Sequence, residues 1–447
     1  MSRSLLFAIV FIEGFCSLGA EVIALRQIIP HMGSAIVVTA PTIGLFLLAL
    51  ALGYNAGAGI DHAYREVVAR NFLIAATLSG VGLAGASVDL VFAQINPPML
   101  AYLVFVAAVL CPLAWLLGQT VPLLTNLMKH ERTGQASGYA LYYSTLGSFL
   151  GSTTLSLLVM QWLGVSAAVA LCALLLVLGF ILLRGRSGFA HWAAAAVTVL
   201  VVAANLVLRP VVETAYANYA IVPVSLDGAL NPRAFKNNNS VASLIDDSDP
   251  PRYARYVRHI RNILLEDLAF RDREILVLGA GGFTLSHREA SNRYTYVDID
   301  PAIREIAEKR FLGEAARGEF VADDARRFVV RSERLFDAEI VDVYSSHSSI
   351  PGHLVTREFW QGTRRVLKPD GVLIANLLLD NKLATPYARN LLATLESVYG
   401  RCAVEVLHRL QPLSNVIVVC HNGNRPTVDG LYVDERNAAD FDLARSR

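Results

Sequence analysis

The distribution of charge divides this 447-residue chain in two, and that division decides what it can fold into. Up to about Pro210 the sequence is Leu, Ala, Val and Gly with scattered charges. Beyond it, Arg, Asp and Glu recur every few residues. An apolar stretch of about 18 residues or more is long enough to cross the hydrocarbon core of a bilayer. About seven such stretches are present, at 4–29, 34–58, 71–95, 98–127, 137–162, 164–184 and 189–208, the last short and Ala-rich. The first is longer than a signal-peptide core and lacks a small-residue cleavage site, so it reads as a retained helix. The expectation is a multi-pass α-helical membrane domain over 1–209, embedded in a lipid bilayer, followed by a soluble domain.

Lys and Arg in short loops mark the cytoplasmic side of a membrane. With seven spans, Arg3, Arg65, Arg70, Lys129, Arg132, Arg184 and Arg186 all fall on one side, and the opposite loops hold little beyond Arg26. The N-terminus is then cytoplasmic and the soluble domain lies outside, in the periplasm if the membrane is a bacterial inner membrane. If 189–208 only lies on the membrane, the domain returns to the cytoplasm. Glu13, Glu21, Gln119, Thr120, Tyr142, Tyr143 and Ser144 fall within the spans. Polar groups at that depth are costly, and serve either a function or hydrogen bonding between helices. A net charge of +1 offers no concentrated basic face, so no nucleic-acid partner is expected. The absence of CxxC or Cys/His spacing argues against a metal. Cys16, Cys111 and Cys172 sit in apolar stretches as packing residues. Cys402 and Cys420 are symmetric about a turn at Gln411-Pro412. They are either bonded, in an oxidising compartment, or two buried thiols in neighbouring strands.

From about Glu274 short apolar segments alternate with helical patterns, as a parallel doubly wound sheet requires. EILVLGA reads as a strand, SHREA as the opening of a helix and RYTYVDID as a second strand. PAIREIAEKRF then reads as a helix, FDAEIVDVY as a strand, TREFWQGTRRVL as a helix and GVLIANLL as a strand. In such a sheet, ligands bind beyond the carboxyl ends of the strands. Gly279, Gly281 and Gly282 end the first strand, where the backbone can approach a ligand closely. Asp298 ends the second, placed to accept from ribose hydroxyls. Asp324, with Ala325 beside it, follows the third, placed to accept from adenine's exocyclic amine. Asp342 ends the fourth, facing a cofactor's reactive group. Each of these aspartates also suits an ordinary turn or helix cap. The run G-A-G-G-F departs from G-x-G-x-x-G, which favours an S-adenosyl cofactor over a dinucleotide.

Read in order, LVLGAGGFTL, YVDIDP, ADDARRF, IVDVYSSHSSIPGHLVTREFW and RVLKPDGVLIANL resemble the spermidine synthase family, the polyamine aminopropyltransferases. The resemblance covers roughly 224–423. With the hydrophobic half attached, it points to the bacterial branch in which such a domain is fused to membrane helices. It implies a β region and helix over 210–270, with SLIDDSDPPRYARYVRHI carrying the family's tyrosine. It further implies an S-adenosylmethionine-dependent methyltransferase-like Rossmann fold over 271–447. The implied reaction moves an aminopropyl group from decarboxylated S-adenosylmethionine to a polyamine and releases methylthioadenosine. By position, Asp298 would hold the ribose, Asp324 the adenine, and Asp342 would deprotonate the attacking amine. Tyr253, Tyr344 and Ser345 would meet the substrate, beneath a loop from Tyr344 to His353. The resemblance leaves room for a homodimer.

This sequence departs from that family at three places. The usual G-G-G-D-G-G is G-A-G-G-F, without the aspartate that meets the cofactor's amine. Tyr-His-Glu is reduced to Tyr253-Ala254-Arg255. The second aspartate after the catalytic one is Ser345. Each change removes a group suited to an ammonium, and this keeps two other readings open. One is an S-adenosylmethionine-dependent methyltransferase. The other is a membrane sensor or transport component that binds a nucleoside or polyamine without turnover. His259 and His347 read as ordinary polar positions.

Overall fold

The computed structural model describes residues 3–32, 36–127, 133–183, 188–207, 211–238, 240–344, 350–423, 432–434 and 439–445. Its contacts separate two compact units, with the main boundary between Ala215 and Tyr216.

The N-terminal unit is helical. Six of its helices are long and apolar enough to cross a membrane: Arg3–Met32, Ile36–Ala58, Pro98–Asn126, Gly134–Leu163, Val165–Leu183 and Phe189–Val207. A seventh candidate is the pair Tyr64–Gly82 and Gly85–Gln94, bent by 68°. The sequence suggested one stretch over 71–95. The helix instead starts at Tyr64 and breaks at Leu83–Ala84, where Gln27 Nε2 donates to the Leu83 carbonyl at 3.0 Å. Small residues set the closest crossing. A Cβ on Gly14 would lie 2.0 Å from Ser144 O, and one on Gly147 or Gly151 would lie 2.2 Å from a carbonyl of Phe11 or Phe15. Backbones can meet this way only where side chains are absent.

The C-terminal unit opens with an antiparallel meander of β1 (Asn218–Pro223), β2 (Arg233–Asn237) and β3 (Ser240–Ile245). Helix α1 (Arg255–Asn262) follows. Then comes a seven-stranded sheet of β4 (Glu274–Leu278), β5 (Arg293–Asp298), β6 (Glu319–Ala322), β7 (Phe336–Val341), β8 (Leu367–Asp380), β9 (Ala403–Val406) and β10 (Leu413–His421). Its order is β9-β10-β8-β7-β4-β5-β6. β6, β5, β4, β7 and β8 run parallel, while β10 pairs antiparallel with both β8 and β9. This is the Rossmann-like arrangement with one reversed strand. The parallel strands are covered on both faces: after Glu274 β4 is an unbroken apolar run, and β7 is buried throughout, its acids Asp337 and Glu339 included.

Capping fixes where the covering helices begin. In α2 (Ala325–Arg331), Asp324 accepts from Arg327 N. In α3 (Arg357–Arg365), Thr356 accepts from Phe359 N. In α4 (Pro386–Tyr399), Thr385 accepts from Ala388 N, and Pro386 takes the first helical position, where its missing N–H costs nothing.

One expected element is absent. SHREA opens no helix, and 279–292 is a series of turns with positive φ at Phe283 and Arg288. The carbonyls a helix would need are taken: Arg261 Nη1 donates to the Thr284, Leu285 and His287 oxygens at 3.2, 2.8 and 2.9 Å. Ser286 N donates to Tyr296 Oη at 3.0 Å. The hairpin expected around Gln411-Pro412 is present. Its register sets Ala403 against Val419, and a disulfide joins the adjoining Cys402 and Cys420.

Candidate active site

The order of the sheet reverses between β4 and β7, and there the loops leaving the two strands diverge to open a crevice. Gly279 and Asp342 are the first residues past those strands. Asp342 N donates to Leu278 O at 2.9 Å and Gly279 N to Val297 O at 2.8 Å, so the sheet's ladder carries on into both loops. A Cβ on Gly279 would lie 2.2 Å from Asp342 O, and its φ is +90°. Only glycine meets both conditions. Gly281 also has positive φ, +49°, and Gly282 N donates to Ser243 Oγ at 3.0 Å.

Asp298 ties this loop to the end of β5. Its Oδ2 accepts from Ala280 N at 2.9 Å and its Oδ1 from Asp300 N at 3.0 Å. Burial pushes the carboxyl up to about 6, against the pull of the Asp300 and Ala280 N–H groups. Each oxygen still has a lone pair to offer, as two vicinal hydroxyls require. Asp300 is held in turn by Tyr219, whose hydroxyl donates to Oδ2 at 3.0 Å. Asp324 does cap a helix, accepting from Arg327 N at 2.9 Å, but its Oδ2 points elsewhere, 3.4 Å from His353 Nε2. Ala325 opens that helix, where first-turn N–H groups have no partner further back.

Asp342 is the chemical centre of the crevice. Burial pushes its carboxyl up to about 6, opposed by hydrogen bonds from the Asn376 amide and the Tyr256 hydroxyl. Asn376 Nδ2 donates to Oδ1 at 2.9 Å, and Asn376 is oriented by Asn415 Nδ2, which donates to its Oδ1 at 3.0 Å. Tyr256 Oη donates to Ala242 O, and its hydroxyl lies near enough to Asp342 to favour the carboxylate. Tyr344 Oη donates to Asn376 O at 2.7 Å, and burial keeps that phenol protonated. Among the described residues no cation acts on Asp342. A half-buried carboxylate without a counter-ion, at the switch point of the sheet, can accept a proton or pair with a cationic ligand.

Tyr253, the tyrosine singled out by sequence, sits elsewhere. Its hydroxyl meets His287 Nδ1 at 2.9 Å and His287 O at 3.1 Å, and the Arg261 guanidinium lies 4.8 Å from its ring. The tyrosine tied to Asp342 is Tyr256, one turn later. Ser345 and His347 lie outside the described residues. His259 pairs with Glu405 at 3.1 Å. Sequence reasoning missed Tyr256, Asn376, Asn415 and Ser243. The one available signal was Asn376, a lone amide inside the apolar run GVLIANLL.

With this geometry in place, comparison with known proteins narrows the reading. Residues 252–419 match the spermine/spermidine synthase domain. A polyamine aminopropyltransferase of Vibrio vulnificus is 32% identical over 165 residues, covering 35% of this chain and 52% of that relative. Polyamine aminopropyltransferase 1 of Streptomyces coelicolor is 26% identical over 415 residues, covering 83% of this chain and 75% of the relative. That share exceeds what the chain holds from Tyr216 onward, so the likeness runs into the helical half. An eEF1A lysine and N-terminal methyltransferase homolog of Drosophila melanogaster is 31% identical over 168 residues, covering 34% of this chain and 24% of the relative. The chain spans about half the length of the first of these relatives. The matched region, 252–419, contains Asp298, Asp324 and Asp342, and over it the chain is similar to the spermine/spermidine synthase domain.

Proposed function

We propose that this chain is a membrane-embedded aminopropyltransferase. It would take decarboxylated S-adenosylmethionine as donor and a polyamine as acceptor. The observation that carries this reading is Asp342, half-buried, free of any protein cation among the described residues, and held by Asn376 and Tyr256. The acceptor's amine nitrogen attacks the methylene carbon next to the donor's sulfonium. The carbon–sulfur bond breaks, its electron pair stays on sulfur, and neutral methylthioadenosine leaves. The proton lost by the new ammonium goes to Asp342. A protonated amine cannot attack, so a carboxylate aimed at it contributes both position and base. Asp298 holds the ribose and Asp324 with Ala325 the adenine, while Tyr344 flanks the acceptor.

The six or seven long apolar helices anchor the chain in a bilayer, and the basic loops put its N-terminus in the cytoplasm. Seven spans then place the C-terminal unit outside. The Cys402–Cys420 disulfide supports that side, since such bonds persist in oxidising compartments. A second reading, methyl transfer from intact S-adenosylmethionine, is favoured by the acid missing from the glycine loop. Mass spectrometry of products tests both: the detergent-purified chain is given a panel of amines with either decarboxylated or intact donor. Methylthioadenosine with a lengthened amine is the expected result. Adenosylhomocysteine from the intact donor would replace the reading with methyl transfer, and no product from either would remove the enzyme reading.

A further inference from the structure

Six polar side chains of the N-terminal unit occupy one layer of its helices. With a rise of about 1.5 Å per residue, Glu13 stands ~15 Å in from the Arg3 end of its helix and Tyr54 ~6 Å from the Ala58 end. By the same measure Asn71 stands ~10 Å from the Tyr64 end, Gln119 and Thr120 ~10 Å from the Asn126 end, and Ser144 ~15 Å from the Gly134 end. For helices that cross alternately, these five ends share one side.

Contacts link the group. Ser144 Oγ donates to Glu13 Oε2 at 2.8 Å, and Tyr54 is within electrostatic range of Glu13. One turn past Tyr54, a Cβ on Gly57 would lie 2.8 Å from Gln119 Cα. Asn71 Nδ2 donates to Gln119 Oε1 at 2.9 Å.

Three buried atoms of this layer have no partner: Asn71 Oδ1, Gln119 Nε2 and Thr120 Oγ1, on residues 1%, 3% and 0% exposed. Each such group costs about 1–3 kcal/mol, and a bilayer offers no water to offset it. Turning both amides over exchanges the atoms without removing the problem, since one carbonyl and one N–H always remain. Among the described residues no lysine or arginine of this unit is buried as a whole residue, and the carboxylate of this layer is that of Glu13, the other buried one, Glu21, lying about two turns further along the same helix.

We infer that this layer is a binding site for a singly protonated diamine within the helical half. The ammonium end pairs with Glu13 and donates to the free amide carbonyl and to Thr120. The second nitrogen, neutral in a medium of low dielectric, accepts from the free amide N–H. One carboxylate balances one charge, and an alkyl chain between the nitrogens suits the apolar surroundings. A bare metal cation would leave the N–H unpaired, and an anion, though the N–H and the Thr120 hydroxyl could donate to it, would be repelled by the Glu13 carboxylate. The assignment of an amine rests on the aminopropyltransferase reading, and the depth of the layer rests on the bilayer reading.

The test is equilibrium binding of tritiated 1,4-diaminobutane to the full chain in phosphatidylcholine nanodiscs. A site is expected that survives Asp342→Asn and weakens at least tenfold in Glu13→Gln, a change that keeps an acceptor for Ser144. The double variant Asn71→Leu, Gln119→Leu should lose the same site while its melting temperature stays level or rises, because apolar groups replace unpaired ones. Wild-type binding in both variants would overturn the proposal, and so would displacement of the diamine by equimolar sodium. If the transferase reading fails, there is no product and no Asp342-dependent binding. The Glu13-dependent site is still read on its own.

Discussion

Replacing Asp342 by asparagine should make the C-terminal unit more stable and inactive at once. The carboxyl titrates at about 6, against 3.8 for an ordinary aspartate. At about 1.4 kcal/mol per tenfold change in proton affinity, that difference amounts to ~3 kcal/mol against the ionised folded state. Asp342 is only half-buried, so solvent screens part of this, and about 1–2 kcal/mol is the expected size. The sign follows from linkage. The folded pKa lies above the unfolded one, so the penalty is absent below pH ~4, grows between ~4 and ~6, and is complete above. In Asp342→Asn the charge is gone, and the new amide oxygen can still accept from Asn376. At roughly 2–4 °C per kcal/mol for a unit of this size, the melting transition should rise by about 2–8 °C at pH 7.5. The gap should close near pH 4, and turnover should be lost at every pH. The assay is thermal unfolding of the purified chain at both pH values beside product formation. A lower melting temperature at pH 7.5 would show that Asp342 holds the fold together. A gap independent of pH would show that its ionisation does not oppose folding.

Three further outcomes follow from the same geometry. The rate should climb as pH rises through about 6, where Asp342 loses its proton, and Asn376→Ala should move that midpoint upward by removing a bond that favours the carboxylate; a pH–rate profile of both proteins reads the shift. Asp298→Ala should weaken methylthioadenosine binding by about 10- to 100-fold by calorimetry, since hydrogen bonds to a charged group contribute about 1.5–3 kcal/mol. Breaking the Cys402–Cys420 bond, which closes a separation of 18 residues, should cost ~3 kcal/mol of stability, read by melting with and without reductant, while Cys16, Cys111 and Cys172, which form no disulfide, are unaffected by the reductant.

What the sequence revealed of this site is what lies at the ends of strands. Asp298 and Asp342 each close a segment that reads as a strand, RYTYVDID and FDAEIVDVY, and the register of β4 with β5 and β7 brings both to the same end of the sheet. The groups that tune Asp342 carry no such local mark. Tyr256 belongs to a helix that precedes the sheet, and Asn376 to a strand far along the chain that reaches Asp342 because β8 lies beside β7. Tyr253 looked the better candidate because it is the tyrosine that matches the family's motif, yet one helical turn decides which hydroxyl reaches the carboxylate. The turns at 279–292 were misread for a similar reason. SHREA has the composition of a helix start, but Arg261, distant in sequence, claims the carbonyls that a helix would use. Asp324 shows that two roles can coincide, one oxygen capping a helix while the other is turned away from it.

The most direct test of the central claim is to measure methylthioadenosine and lengthened amine in the same sample. Purified wild-type chain and Asp342→Asn are each given decarboxylated S-adenosylmethionine and 1,4-diaminobutane at pH 8. The account predicts the two products in a one-to-one ratio from the wild type and neither from the variant. Equal turnover by the variant would remove Asp342 from the chemistry, and methylthioadenosine without a matching amine product would mean that the chain cleaves the donor and does not transfer from it.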